Sequence, residues 1–160
     1  MDRSPITITL LGPPQGKGRA RAFVRGGQIG HYTPAATVSY EGMVRTAAMD
    51  ALSGRPPIDA PVEFVLDAVF PVPGSWSERK RQQALAGKIA PGKKPDLDNI
   101  AKVWNDALNA VVYRDDALIV RMSLEKRYGA RPLVTVTVRP MEKPARITEG
   151  TTMLSAQFAA

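Results

Sequence analysis

The sequence predicts a single small domain of the α/β (α+β) class. Three observations carry that expectation. The length, 160 residues, falls in the range of one domain, about 100–200 residues. Runs rich in β-branched and apolar residues at 6–11, 62–69, 117–128 and 132–138 stand next to Gly or Pro and read as strands. Stretches between them repeat their apolar residues at helical spacing.

Taken in order, Ile6-Thr7-Ile8-Thr9-Leu10-Leu11 predicts a first strand, stopped by Gly12-Pro13-Pro14. Residues 15–34, rich in Gly and Arg, predict a loop or irregular hairpin. A helix is expected over 37–53, where Val38, Met43 with Val44, Ala47 with Ala48 and Ala51 with Leu52 recur; Ser53-Gly54-Arg55-Pro56-Pro57 ends it. The next strand, 62–69, is stopped by Pro71, Pro73 and Gly74. Ser77 reads as the N-cap of a short basic helix over 78–86. The clearest helix is 98–110, where Ile100, Val103, Trp104, Ala107, Leu108 and Val111 form one apolar stripe. The strands at 117–128 and 132–138 are joined by Gly129-Ala130-Arg131, which reads as a hairpin. The domain is expected over 1–140, with 141–160 a loose tail that shows no period.

Several chemistries are excluded by composition. There is no cysteine, so disulfides, thiolate metal sites and Cys nucleophiles are ruled out. The single histidine, His31, rules out zinc sites built on several imidazoles and disfavours a Ser-His-Asp hydrolase. Metal chemistry must then use oxygen ligands, which suits Mg²⁺, Mn²⁺ or Ca²⁺. No apolar run is long enough to span a membrane. The apolar stretch in MDRSPITITLLGPP is too short for a signal peptide, and a cytoplasmic protein is expected.

The formal net charge is +7, and it is concentrated. Residues 12–31 carry Lys17, Arg19, Arg21 and Arg25 with no acid, and residues 72–94 carry Arg79, Lys80, Arg81, Lys88, Lys93 and Lys94 against Glu78 alone. The rest of the chain is slightly acidic. Such segregation points to a polyanion, most often nucleic acid, with a solvated basic surface as the plainer reading. On the first reading Lys17, Arg19, Arg21, Arg25, Arg79, Lys80, Arg81, Lys93 and Lys94 are the candidate DNA-binding residues. Phe23 and Trp76, set among these cations, are candidates either for stacking on bases or for packing. Gly12-Pro13-Pro14-Gln15-Gly16-Lys17-Gly18 is a residue short of a phosphate-binding P-loop and has Gly18 where Ser or Thr is required.

Catalytic candidates lie at 94–116. If Asp96 to Asp98 is extended, both carboxylates point the same way and can share one divalent ion. Lys102 follows Asp98 by one helical turn, where it can offset charge on a phosphate. With Asp116, these residues suit metal-assisted phosphodiester hydrolysis. Plainer roles are open: Asp98 as a helix cap, Asp98 with Lys102 as a surface pair, Asp115-Asp116 as turn residues. Geometry sets a condition. A helix from Asp98 to Asn109 carries the chain about 16 Å at ~1.5 Å per residue. Six extended steps from Ala110 to Asp116 return about 20 Å. Asp116 reaches Asp98 only if that return is nearly taut; otherwise it serves a site completed elsewhere, such as in a partner subunit.

The block Lys94-Pro95-Asp96-Leu97-Asp98-Asn99-Ile100-Ala101-Lys102-Val103-Trp104-Asn105-Asp106-Ala107-Leu108, followed by Asp115-Asp116 and Lys126, resembles the RusA family of Holliday-junction resolvases. The front is similar too: a strand, Gly-Pro-Pro, a basic loop, Tyr32-Thr33 and a helix holding Tyr40-Glu41. The resemblance implies a small mixed sheet flanked by helices, a homodimer, and paired nicks across a four-way DNA junction in a bacterial, phage or prophage setting. It implies that Asp96, Asp98 and Asp116 hold Mg²⁺, with Mn²⁺ able to substitute, and that Lys102 is the catalytic lysine. A non-catalytic DNA-binding module using the same basic loops is the alternative, and a small-molecule phosphatase a third.

Overall fold

The strand that begins at Val62 is buried along most of its length and has a partner on each side; the fold is arranged around it. The structure, a computed structural model, describes residues 4–142. The tail expected over 141–160 lies outside them from residue 143 on. In chain order the elements are β1 (Ile6–Leu11), β2 (Arg21–Arg25), β3 (Gln28–Tyr32), α1 (Ala35–Leu52), β4 (Val62–Pro71), α2 (Glu78–Leu85), α3 (Leu97–Leu108), a 3-10 turn (Asp116–Leu118), β5 (Ile119–Gly129) and β6 (Leu133–Pro140). The result is an α+β domain with a mixed four-stranded sheet ordered β1-β6-β4-β5 and a separate two-stranded ribbon, β2-β3.

The helical face of the sheet is apolar because every second residue is. Ile6 and Ile8 of β1, Phe64, Leu66 and Ala68 of β4, and Val134, Val136 and Val138 of β6 are all buried. On the opposite face most of the alternate residues are polar. Thr7 pairs with Thr137 and Thr9 with Thr135, each at 3.2 Å between hydroxyls. Glu63 lies between Arg139 at 3.2 Å and Arg121 at 3.7 Å, and Asp67 takes a fork of bonds from Arg127. This face therefore needs no second layer of helices.

Helices α1 and α3 pack on each other, α1 against β1 and α3 against β5. Of the apolar stripe expected on α3, Ile100, Val103, Trp104, Ala107 and Leu108 are fully enclosed, while the helix ends at Leu108 and Val111, beyond it, is half-buried. Trp104 donates from Nε1 to the Tyr40 hydroxyl of α1 at 3.3 Å, so the one polar atom of this core ring is satisfied. Helix α1 stops where Ser53 adopts a left-handed conformation with φ 49° and its N–H bonds back to the Met49 and Asp50 carbonyls.

One expectation is corrected. β5 and β6 do not form a hairpin with each other. β4 lies between them, parallel to β5 and antiparallel to β6. β4 is apolar on its buried face and flanked by acids on the other, so it gains most from two neighbours. The short link after Gly129 crosses the end of β4, where Pro71 closes the strand. Gly129 is required at that crossing, since a Cβ there would overlap the Val69 side chain.

Candidate active site

Helix α3 begins at the block that carries the acids. Lys94-Pro95 is a cis peptide. Asp96 takes the N-cap position with extended backbone, φ −69° and ψ 148°, and its carboxylate makes no capping hydrogen bond. Asp98 lies in the first turn. The segment from Asp96 to Asp98 is thus not extended, and the condition set on it from sequence is not met; α3 starts at Leu97, one residue earlier than the periodicity indicated. Both carboxylates nevertheless line one cleft of about 660 Å³, together with Arg19, Lys94 and the loop from Pro14 to Lys17. They are exposed to it, and the N-terminus of α3 favours their negative charge.

The loop that forms the other wall is fastened at three points. The Lys17 N–H donates to the Asn99 carbonyl at 3.2 Å, and the Asn99 side-chain amide donates to the Lys17 carbonyl at 3.2 Å. The Gly18 N–H donates to Thr37 Oγ1 at 3.0 Å, on a threonine that is only 5% exposed. Lys17 Nζ meets Glu41 of α1 at 3.1 Å and is hydrogen-bonded to Asp106 of α3. Burial by itself lowers the Lys17 pKa, but hydrogen bonds and charge from Asp106 and Glu41 outweigh it and leave the amine above its ordinary value. The glycines on either side are there for close approach. A Cβ on Gly16 would lie 2.5 Å from the Asn99 amide nitrogen, and one on Gly18 would lie 2.5 Å from Thr37 Oγ1.

The remaining candidates are placed as follows. Arg19 and Lys94 share the cleft with the acids. Lys17, expected at the DNA surface, also lines the cleft, and its amine pairs with two carboxylates. Arg21 and Arg25 lie on the exposed ribbon, and Arg79, Lys80 and Arg81 on α2. Lys80 sits over the Trp76 ring at 4.0 Å, and Trp76 meets Tyr128 edge-on at 5.3 Å. Trp76 is therefore packed rather than presented to a base. Lys93 is held near the sheet by its carbonyl, which accepts from Lys126 Nζ at 3.0 Å. Lys102 is exposed, and among the described residues no ion pair joins it to Asp98.

Asp115 and Asp116 have separate duties. Asp115 Oδ1 accepts from the Ala117 N–H at 2.8 Å, the turn role open to it from sequence. Asp116 is exposed at the start of the 3-10 turn. The taut return that would carry it to Asp98 is absent. After α3 the chain winds tightly, with the Val111 and Val112 N–H groups both on the Leu108 carbonyl and Ala110 at φ 61°. The Tyr113 hydroxyl donates to the Asn105 carbonyl at 3.2 Å. Burial pushes its pKa up, and the Asp116 and Asp106 charges push it further. Among the described residues, no three His, Asp or Glu side chains are grouped to hold one metal ion.

Sequence reasoning missed Thr37 and Glu41 as parts of this wall. No local signal marks Thr37; for Glu41 the signal is Lys17 between two glycines, a cation on a segment able to approach the helices closely.

Comparison with known proteins places the chain in a family. The family described as endodeoxyribonuclease RusA matches residues 12–139, from the basic loop through β6. The chain is also 34% identical over 138 residues to the uncharacterised protein YqaN of Bacillus subtilis (strain 168), covering 84% of this chain and 95% of that protein. No helix among the described residues is long and apolar enough to cross a membrane.

Proposed function

Because the chain belongs to the RusA endodeoxyribonuclease family, we propose that it resolves four-way DNA junctions by paired, divalent-metal-dependent phosphodiester hydrolysis, acting as a homodimer. One observation carries this reading: Asp96 and Asp98 open into the same cleft as Arg19 and Lys94. Acids alone repel a phosphate. Cations alone hold it without hydrolysing it. Together they suit a bound metal beside a bound phosphodiester.

The donor set fits Mg²⁺ or Mn²⁺ in part. Asp96 and Asp98 offer hard oxygen ligands that the helix does not use for capping. When bound there, the ion supplies charge to polarise the phosphate and a water of lowered pKa. Arg19 and Lys94 hold the DNA strand at the cleft. Lys102, one turn beyond Asp98 and without an ion-pair partner among the described residues, offsets negative charge that develops on the phosphorus oxygens. Asp116 completes the set from a second copy of the chain, a reading supported by the lack, among the described residues of one copy, of three acids grouped to hold an ion. A two-fold dimer also suits a substrate in which two symmetric strands are cut.

The test is a labelled four-way junction incubated with Mg²⁺. The wild type gives paired nicks; Asp98→Asn gives none but still binds, since removing an acid does not weaken phosphate contacts. Cleavage by Asp98→Asn at the wild-type rate overturns the assignment. Binding without cleavage by the wild type in either Mg²⁺ or Mn²⁺ favours the architectural alternative.

A further inference from the structure

The β2-β3 ribbon has no place in the core. Every residue of Arg21–Arg25 is exposed, as are all of Gln28–Tyr32 except Gly30. It closes through Gly26 and Gly27, with φ 61° and 78°, the conformation of a tight two-residue hairpin turn. An isolated two-stranded ribbon gains little stability from itself, so its retention of large exposed side chains calls for a partner.

Its two faces differ. In register, Arg21 faces Tyr32, Phe23 faces Gly30 and Arg25 faces Gln28. One face thus carries Arg21, Phe23, Arg25 and Tyr32 together. The other carries Ala22, Val24, Ile29 and His31. On the first face Phe23 rests across Gly30, where any Cβ would strike the ring. The Phe23 and Tyr32 rings lie 6.3 Å apart, and the two residues are 45% and 47% exposed. No acid occurs anywhere in residues 12–31. Two open aromatic rings bordered by arginines form a surface complementary to nucleic acid bases and their phosphates.

We propose that this face of the ribbon is a base-stacking platform: Phe23 and Tyr32 pack on base faces exposed at a DNA branch point, while Arg21 and Arg25 contact the flanking phosphates. The proposal rests on the junction reading above and adds the source of its structure selectivity. Within a linear duplex each base face is covered by its neighbour, and a stacking surface finds nothing to bind. At a branch point the terminal pairs of the arms can be uncovered. The ribbon's root is bound to α3 through Lys17 and Asn99 and to α1 through Gly18 and Thr37, so a branch point held on the platform is held at a set position relative to Asp96 and Asp98.

The test uses the full-length protein in EDTA, so that no strand is cut. A four-way junction with 2-aminopurine at the branch point is compared with a linear duplex of the same sequence. Phe23→Ala and Tyr32→Ala are expected to lower junction affinity about 10-fold, leave duplex affinity unchanged and abolish the fluorescence change at the branch. Tyr32→Phe retains all three wild-type values. Val24→Ser, on the opposite face, also behaves as wild type. The platform is overturned if Phe23→Ala weakens junction and duplex alike, or if Val24→Ser matches its effect, which marks loss of the ribbon itself. If the wild type binds junction and duplex equally, the junction reading falls and the platform with it. If the wild type prefers the junction and Phe23→Ala keeps that preference, the platform alone falls.

Discussion

Lys17 and Asn99 hold each other by a reciprocal pair of hydrogen bonds, backbone N–H to carbonyl and side-chain amide to carbonyl, each 3.2 Å long. Asn99 directly follows Asp98. The bond pair therefore sets the distance between the acid-bearing turn of α3 and the loop that brings Arg19 to it.

Asn99→Ala removes one of these bonds and leaves the loop free to drift. Stability is expected to fall by only about 1 kcal/mol, while junction cleavage falls about 10- to 100-fold through misplacement of the phosphate-holding groups. Parallel melting curves and single-turnover cleavage separate the two effects. A loss of cleavage no larger than the loss of folded protein shows that Asn99 only stabilises the fold.

Lys17→Met leaves Glu41 and Asp106 facing each other without a cation. An expected cost of about 1–2 kcal/mol at neutral pH follows from two partly buried carboxylates losing their partner. The pH dependence has a definite sign. Because the Lys17 pKa is raised in the fold, its contribution is complete below the ordinary value of 10.5 and disappears as pH rises through the higher folded value. The stability gap between wild type and Lys17→Met should therefore narrow above that pH. Chemical denaturation of both proteins across the alkaline range measures it; a gap that stays constant removes Lys17 as its source.

Tyr40→Phe isolates a single buried hydrogen bond. It leaves Trp104 Nε1 without its acceptor in a core where both residues are enclosed, an expected loss of about 1–3 kcal/mol. Trp104→Ala costs more, about 3–5 kcal/mol, because a cavity is added to the lost bond. Urea unfolding of the two variants should rank them in that order.

Mixing Asp98→Asn chains with Asp116→Asn chains tests where Asp116 acts. Each variant alone should be inactive. If Asp116 acts in the neighbouring copy's cleft, a mixed dimer has one intact site and nicks a single strand of the junction. A mixture as inactive as its parents places Asp116 in the cleft of its own chain.

The sequence determined most of the elements and the residue types on which any chemistry must draw. The period of β4 and α3 predicted strand and helix and named the core, because burial of an apolar face is recorded residue by residue at 2.0 and 3.6 spacing. The acids, the basic segments and the absence of Cys were legible in the same way, since they are properties of single residues.

Tertiary structure alone decided which strands are neighbours and which cations are paired. β5 and β6 are adjacent in sequence yet separated by β4, because a strand's neighbours depend on which arrangement buries most apolar surface across the whole chain. Lys17 and Arg19 look alike in sequence; one meets Glu41 and Asp106 and the other a cleft, because the partners of Lys17 lie on two helices that only folding brings together. The turn after Leu108 likewise fixes the place of Asp116 through backbone hydrogen bonds, which side-chain identity records only weakly.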